Sequence, residues 1–121
     1  MTTQEIANQL ISLCSQGKNL EAINTLYSAD IVSVEAAAPP DGSRETKGLP
    51  GVLGKSEWWV SNHEIHSANV EGPLVTGNHF CVKFTYEVTF KPTAKRFVMT
   101  ELAVYQVADG KIVREEFFYS M

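Results

Sequence analysis

Five polar side chains fall where a β-sheet should bury apolar ones. In the second half of the chain, strand-like runs alternate closely enough that Tyr86, Glu101, Tyr105, Glu115 and Tyr119 land among the inward positions. Carboxyl and phenol groups in such places can hold, accept and release protons. A buried carboxylate is costly unless it is paired, hydrogen-bonded or protonated. More than one on a core face points to a cavity rather than a solid core.

Glu101 carries the sharpest signal. One reading makes it a pocket acid or base whose pKa is raised by burial. The other makes it a strand-end carboxylate satisfied by a backbone group or a tyrosine. With Phe90 placed near Phe97 across the intervening turn, Tyr86 is expected opposite Glu101, and a hydrogen bond between them serves either reading. Glu115 lines the same face under one hairpin register and faces solvent under the other. Glu35 ends a short strand, and the pattern alone makes it an ordinary exposed acid.

His63 and His66 look like a metal pair, but positions i and i+3 of a strand point to opposite faces. No Cys or Asp cluster completes a zinc set, so no metal site is expected. Either histidine could still line a pocket and transfer a proton. Trp58 and Trp59 are expected to pack, with one reaching a cavity. The sequence holds no GxSxG, no P-loop and no dinucleotide fingerprint.

The chain has 121 residues, 44% hydrophobic and 20% charged, which fits one domain with a real core. A net charge of −4 with scattered Lys and Arg argues against nucleic acid and anionic membrane as partners. Cys14 and Cys81 are isolated, and the first residues do not read as a secretion signal, so a reducing cytoplasm is expected. No apolar run approaches the length of a membrane span.

The elements that must position these side chains can be read in order. Thr2 to Glu5 forms a capping box for a helix with Ile6, Leu10 and Leu13 on its apolar face, ended by Gly17. Asn19 is expected to cap a second helix with Leu20, Ile23, Leu26 and Tyr27 inward. Ile31 to Glu35 reads as a short strand. Ala36 to Gly51 reads as a loop of rim or lid type, and Gly54 to Asn62 as a two-turn helix. Ile65 to Val70 is a strand, with Gly72-Pro73 and Thr76-Gly77-Asn78 as punctuation.

In the next strand Phe80, Val82, Phe84, Tyr86, Val88 and Phe90 share one face, and Lys91 to Lys95 turns the chain back. Phe97 to Val107 is apolar on both faces, so a second subunit could cover the outer one. Ala108-Asp109-Gly110 leads into Ile112 to Tyr119. A two-residue Asp-Gly turn would put Glu101 on the face of Arg114 and Glu116. A three-residue loop with Gly110 in a left-handed bulge would put it with Glu115, Phe117 and Tyr119. The bulge is favoured, because it groups the aromatics with Tyr105 and leaves Arg114 and Glu116 outside.

Leu26-Tyr27-Ser28-Ala29-Asp30-Ile31, Gly54-Lys55-Ser56-Glu57 and Asp109-Gly110-Lys111-Ile112-Val113-Arg114-Glu115, in this order of elements, resemble the nuclear transport factor 2-like superfamily. More narrowly the chain resembles SnoaL-like domains, the group around polyketide cyclases and ketosteroid isomerases. The resemblance covers essentially the whole chain, 1–121, as a single domain. It implies an α+β fold: a cone-shaped barrel in which a curved, mostly antiparallel sheet wraps around the N-terminal helices, often dimeric through the outer sheet face.

In isomerase-like members a carboxylate base stands eight residues after the junction tyrosine, which is Glu35 here. A second acid on the strand before the last hairpin matches Glu101, and ketosteroid isomerase keeps such an acid protonated by its apolar site. The first-helix tyrosine of that family is absent, with Ile11 near its place. The last-strand Asp of the cyclases corresponds to about Phe117.

The resemblance therefore implies catalysis by Glu35, Glu101 and Tyr86 on a small hydrophobic carbonyl compound, with no cofactor. Trp58, His63, Phe84, Ala103, Tyr105, Glu115, Phe117 and Tyr119 would line the ligand site. An isomerase, cyclase or hydratase is one expectation. A non-catalytic pocket for a hydrophobic ligand is a second, and a purely structural dimer module, with the cone filled by residues such as Phe84 and Phe117, is a third.

Overall fold

The computed structural model describes residues 1–38 and 42–120. The part of the expected rim loop formed by Pro39, Pro40 and Asp41 lies outside the described residues.

The first helix, α1 (Thr3–Ser15), begins as the sequence dictates. Thr2 Oγ1 accepts from the Glu5 backbone N–H, and Glu5 Oε1 accepts from the Thr2 N–H. Gly17 follows with φ of 76°, the left-handed conformation that lets the chain turn into the next helix. That helix, α2 (Asn19–Leu26), is preceded by Lys18, which gives no side-chain cap. Asn19 is therefore not the cap expected of it. It is the first helical residue, and its side chain reaches into the molecule.

The first strand starts earlier than its apolar run suggests: β1 spans Tyr27–Val34, so Tyr27 belongs to the strand and not to the helix face. A short strand, β2 (Glu45–Lys47), lies within the segment read as loop and pairs antiparallel with β1. The third helix, α3 (Leu49–Asn62), is longer than expected at its start. Pro50 falls in its first turn, where a missing N–H costs no hydrogen bond.

Four strands complete the fold: β3 (His63–Thr76), β4 (His79–Phe90), β5 (Lys95–Ala108) and β6 (Lys111–Phe118). The Gly72-Pro73 pair does not end β3. The register shifts between Glu71 and Leu74, and pairing with β4 resumes on both sides of the irregularity.

The sheet runs β2-β1-β6-β5-β4-β3 and is open, with β2 and β3 as its edges. Every pairing is antiparallel except that of β1 with β6. The α+β cone expected from the resemblance is therefore present as a curved, unclosed sheet with helices on its inner side.

Burial alternates along β4 as the sequence does: Phe80, Val82, Phe84, Tyr86 and Val88 are buried. These side chains join Ile6, Leu10, Ala22, Ile23 and Leu26 of the first two helices in one core. On β5 the odd positions Ala103, Tyr105 and Val107 turn inward, whereas Val98 and Leu102 on the other face are 63% and 43% exposed.

Two registers differ from expectation. The link between β4 and β5 has four residues, so Phe90 pairs with Lys95, Tyr86 with Met99 and Phe84 with Glu101. Tyr86 is thus two residue pairs away from Glu101, not opposite it. Between β5 and β6, Asp109 and Gly110 have φ of 51° and 75°, and Ala108 pairs with Lys111. This is the two-residue, doubly left-handed turn that suits a twisted hairpin, not a three-residue loop. The extra residue comes later: Val107 pairs with Ile112 but Gln106 with Arg114, which leaves Val113 bulged. The bulge restores the facing that the longer loop would have given, and Glu115 points inward opposite Tyr105.

Candidate functional site

The end of β1, together with α3, β5 and β6, brings three carboxyl groups and one amine to the same interior. Glu35 follows β1 directly and is clasped to the β2 side of the sheet. Its backbone N–H donates to Arg44 O at 2.9 Å, and Arg44 Nε donates to Glu35 O at 2.9 Å. Lys55 comes from α3, Glu101 from the middle of β5 and Glu115 from β6. All four border a cavity of about 580 Å³. Leu10, Cys14, Ala22, Ile23, Phe84 and Met99 supply an apolar portion of its wall.

The polar wall is organised around two carboxylates. Lys55 Nζ lies 2.9 Å from Glu35 Oε1, and Tyr119 Oη donates to Glu35 Oε2 at 3.0 Å. Lys55 Nζ also donates to the buried Ser33 Oγ at 2.7 Å. Glu115 is 3% exposed and accepts from the Tyr27 hydroxyl. Burial pushes its pKa up, while the Tyr27 and Ser33 hydroxyls pull it back down.

Glu101 is held differently. Burial raises its pKa to about 7, the neighbouring Glu35 and Glu115 carboxylates add to the rise, and Lys55 opposes it. A carboxyl group near 7 can hold or give a proton at neutral pH. Burial also raises the phenols of Tyr27, Tyr86 and Tyr105, and it pushes the Cys14 thiol up to about 12. These groups stay neutral near pH 7, and of them Tyr27 donates a hydrogen bond, to Glu115.

Of the residues singled out from sequence, Glu35, Trp58, Phe84, Tyr86, Glu101, Tyr105, Glu115, Phe117 and Tyr119 border the cavity. Trp58 does so while 57% exposed, as a rim residue. His63 and Ala103 are not among the lining residues. The His63 ring stacks on Trp59 with centroids 4.3 Å apart, and its Nδ1 sits 2.8 Å from Trp59 O. Ala103 is fully covered within the core. The expected hydrogen bond from Tyr86 to Glu101 is replaced by one from Asn19 Nδ2 to Tyr86 Oη at 3.4 Å, because the β4–β5 register puts Met99 opposite Tyr86.

Sequence reasoning placed none of Lys55, Tyr27, Ser33, Cys14 or Asn19 in the site. Ser33 had a usable signal, since it alternates with Ile31 and Glu35 and shares their face. Lys55 had none, because a lysine on a short helix normally points to water. Among the described residues, no group of three or more His, Cys, Asp or Glu is placed to hold a metal ion. No helix among them is long and apolar enough to cross a membrane.

The model of the SnoaL-like domain matches residues 1–119. The chain belongs to the SnoaL-like family. A Mesorhizobium loti protein, named for a SnoaL-like polyketide cyclase, is 40% identical and superposes with a TM-score of 0.92, covering 98% of this chain and 100% of that one. A Catenulispora acidiphila protein with a ketosteroid isomerase-like fold, solved with trimethylamine, is 21% identical with a TM-score of 0.75 and covers 99% of this chain and 88% of its own. A Pseudomonas putida protein named for a polyketide cyclase is 17% identical with a TM-score of 0.73, covering 100% and 93%. The latter two speak for the SnoaL-like fold alone. No protein of curated function matches the chain.

Proposed function

We propose that this SnoaL-like protein binds a small, mainly apolar carbonyl compound in its cavity and moves protons on it by acid–base chemistry, as an isomerase, cyclase or hydratase would, without a cofactor. One observation carries the reading. Glu35, just past β1, and Glu101, on β5, border the same cavity, and Glu101 is pushed to about 7 by that setting.

The roles follow from the environments. Glu35 accepts the proton as a C–H bond α to the carbonyl breaks, and the electron pair passes to the carbonyl oxygen. Glu101, in its protonated form, hydrogen-bonds to that oxygen and stabilises the enolate. Return of the proton to carbon completes an isomerisation. Tyr86 is a supporting donor: its oxygen accepts from Asn19, so its own hydrogen is free to point into the cavity. The polyketide cyclase name of the Mesorhizobium relative belongs to the same broad class of carbonyl chemistry.

Binding without turnover is the second reading. It is favoured by the engagement of both Glu35 oxygens with Lys55 and Tyr119. A second copy of the chain is proposed to pack on the outward face of β5, where Val98 and Leu102 are exposed and Leu102 pairs with the exposed Phe118 of β6.

The test is α-proton exchange of cyclohexanone in D2O, followed by 1H NMR. Acceleration by the wild type that is lost in both Glu35→Gln and Glu101→Gln supports catalysis. Saturable binding with no exchange supports the second reading.

A further inference from the structure

Three carboxylates border the cavity, and one ammonium serves them. Among the described residues neither Glu101 nor Glu115 forms an ion pair, whereas Glu35 has Lys55 at 2.9 Å. Lys55 is itself fixed at three points. Its Nζ donates to Glu35 Oε1 and, at 2.7 Å, to Ser33 Oγ, and it stands 5.7 Å from the centre of the Phe117 ring. A lysine with free rotamers would hold its partner loosely; this one is tethered to the buried floor of β1 as well as to the carboxylate.

We propose that Lys55 is a positioning residue that commits Glu35, rather than Glu101 or Glu115, to the role of base. The inference rests on the acid–base reading given above. Lys55 touches Glu35 directly at 2.9 Å, and among the described residues neither Glu101 nor Glu115 has such a cation in contact, so only Glu35 is held in place by one. With Tyr119 on Oε2, Lys55 also fixes the plane of the Glu35 carboxylate. Each oxygen keeps a lone pair for a substrate proton.

Ser33 extends the sorting. Its oxygen takes a hydrogen from Lys55, so its own hydrogen is left to donate, and the Glu115 carboxyl is the partner that feels it. Glu115 is thus tied into the wall between Tyr27 and Ser33, and Glu101 is left as the acid facing the cavity. The other cation near Glu35 is Arg44, from the β2 side. Its Nε goes to the Glu35 backbone carbonyl and its Nη2 lies 3.6 Å from Glu116, so it does not substitute for Lys55.

Cyclohexanone exchange in D2O is measured across pH for the wild type, Lys55→Met and Lys55→Arg. Lys55→Met should slow exchange tenfold or more. Lys55→Arg should recover at least half of the lost rate. The same proteins give a readout independent of turnover, the 13C titration of the Glu101 carboxyl. Loss of Lys55 should move it above about 7, because Lys55 is the group that holds it down, and arginine should bring it back.

A wild type that exchanges no probe protons overturns the acid–base reading itself. A wild type that exchanges, with Lys55→Met matching it in rate, overturns only the role of Lys55. If Lys55→Met fails to fold, Lys55→Gln carries the same comparison, since its amide can still donate to Ser33 without supplying a charge. Loss in Lys55→Gln that a folded Lys55→Arg does not recover also overturns the proposal.

Discussion

The Tyr27 hydroxyl donates to Glu115 Oε1 across 88 residues of sequence, and both side chains are buried. The bond joins the first strand to the last, which run parallel and adjacent. Removing the donor leaves a buried carboxyl short of a partner, a change that costs roughly 1–3 kcal/mol. Tyr27→Phe should lower stability by that order in urea denaturation. Glu115→Gln should cost less, because it keeps an acceptor for Tyr27 while removing the burial of an acid. The reverse ranking would mean that the bond does not stabilise this wall.

The raised Glu101 carboxyl makes stability depend on pH in a stated direction. Its folded value of about 7 lies above the ordinary 4.5, so between these values the folded chain keeps a proton that the unfolded chain releases. Stability is full below about 4.5, declines as pH rises towards 7, and levels off above it. At about 1.36 kcal/mol per unit, the whole effect is of the order of 3 kcal/mol. Glu115 shifts in the same direction, so the difference between wild type and Glu101→Gln isolates the Glu101 part. That difference should grow from pH 4.5 to 7.5 in urea midpoints. If it stays flat, the Glu101 environment is wetter than the geometry implies.

The same group governs the pH dependence of catalysis. If Glu101 serves as the acid, kcat/KM for an exchangeable ketone should fall tenfold per pH unit above about 7. In Glu101→Gln the falling limb should disappear along with most of the rate. A limb that survives the substitution belongs to another group.

The hairpin explains how the facing of Glu115 could be read correctly from the wrong cause. Asp109-Gly110 looks the same in sequence whether the extra residue sits in the turn or beyond it. Only pairing with β5 places it at Val113. The strict alternation from Phe80 to Phe90 and the Thr2–Glu5 cap were legible, because each is a local pattern with one physical meaning. Lys55 and Asn19 were not, because their roles depend on partners 20 and 67 residues away. His63 stacks on Trp59 instead of bordering the cavity, because a strand-end histidine beside two tryptophans has an aromatic face to pack on.

Deleting Val113 should therefore leave the rest of β6 facing as before, because Arg114 would follow Ile112 directly and still pair with Gln106, and Glu115 with Tyr105. Deleting Val113 and Arg114 together should slip the register by one residue and turn Glu115, Phe117 and Tyr119 outward. The expected result is cooperative unfolding kept in the single deletion and lost in the double one, seen by near-ultraviolet circular dichroism. Gly110→Ala should be far milder, about 1 kcal/mol, because it strains one left-handed residue without moving the register.

Two surfaces of the same sheet can be separated by a pair of substitutions. Ser56 borders the cavity from α3 and is half-buried, so Ser56→Trp should place a ring in that space while leaving the core intact. Affinity for an apolar fluorescent probe such as anilinonaphthalene sulfonate should drop at least tenfold, with stability within about 0.5 kcal/mol of wild type. Leu102 points the other way and is 43% exposed. Leu102→Glu should leave probe affinity unchanged, and if two copies pair through this face it should shift the mass seen by light scattering from two chains to one. Loss of probe binding in Leu102→Glu would mean that pairing shapes the cavity; unchanged binding in Ser56→Trp would place the probe elsewhere. Burial favours the independent outcome, because Ala103 and Tyr105, which alternate with Leu102, are packed tightly enough to insulate one face from the other.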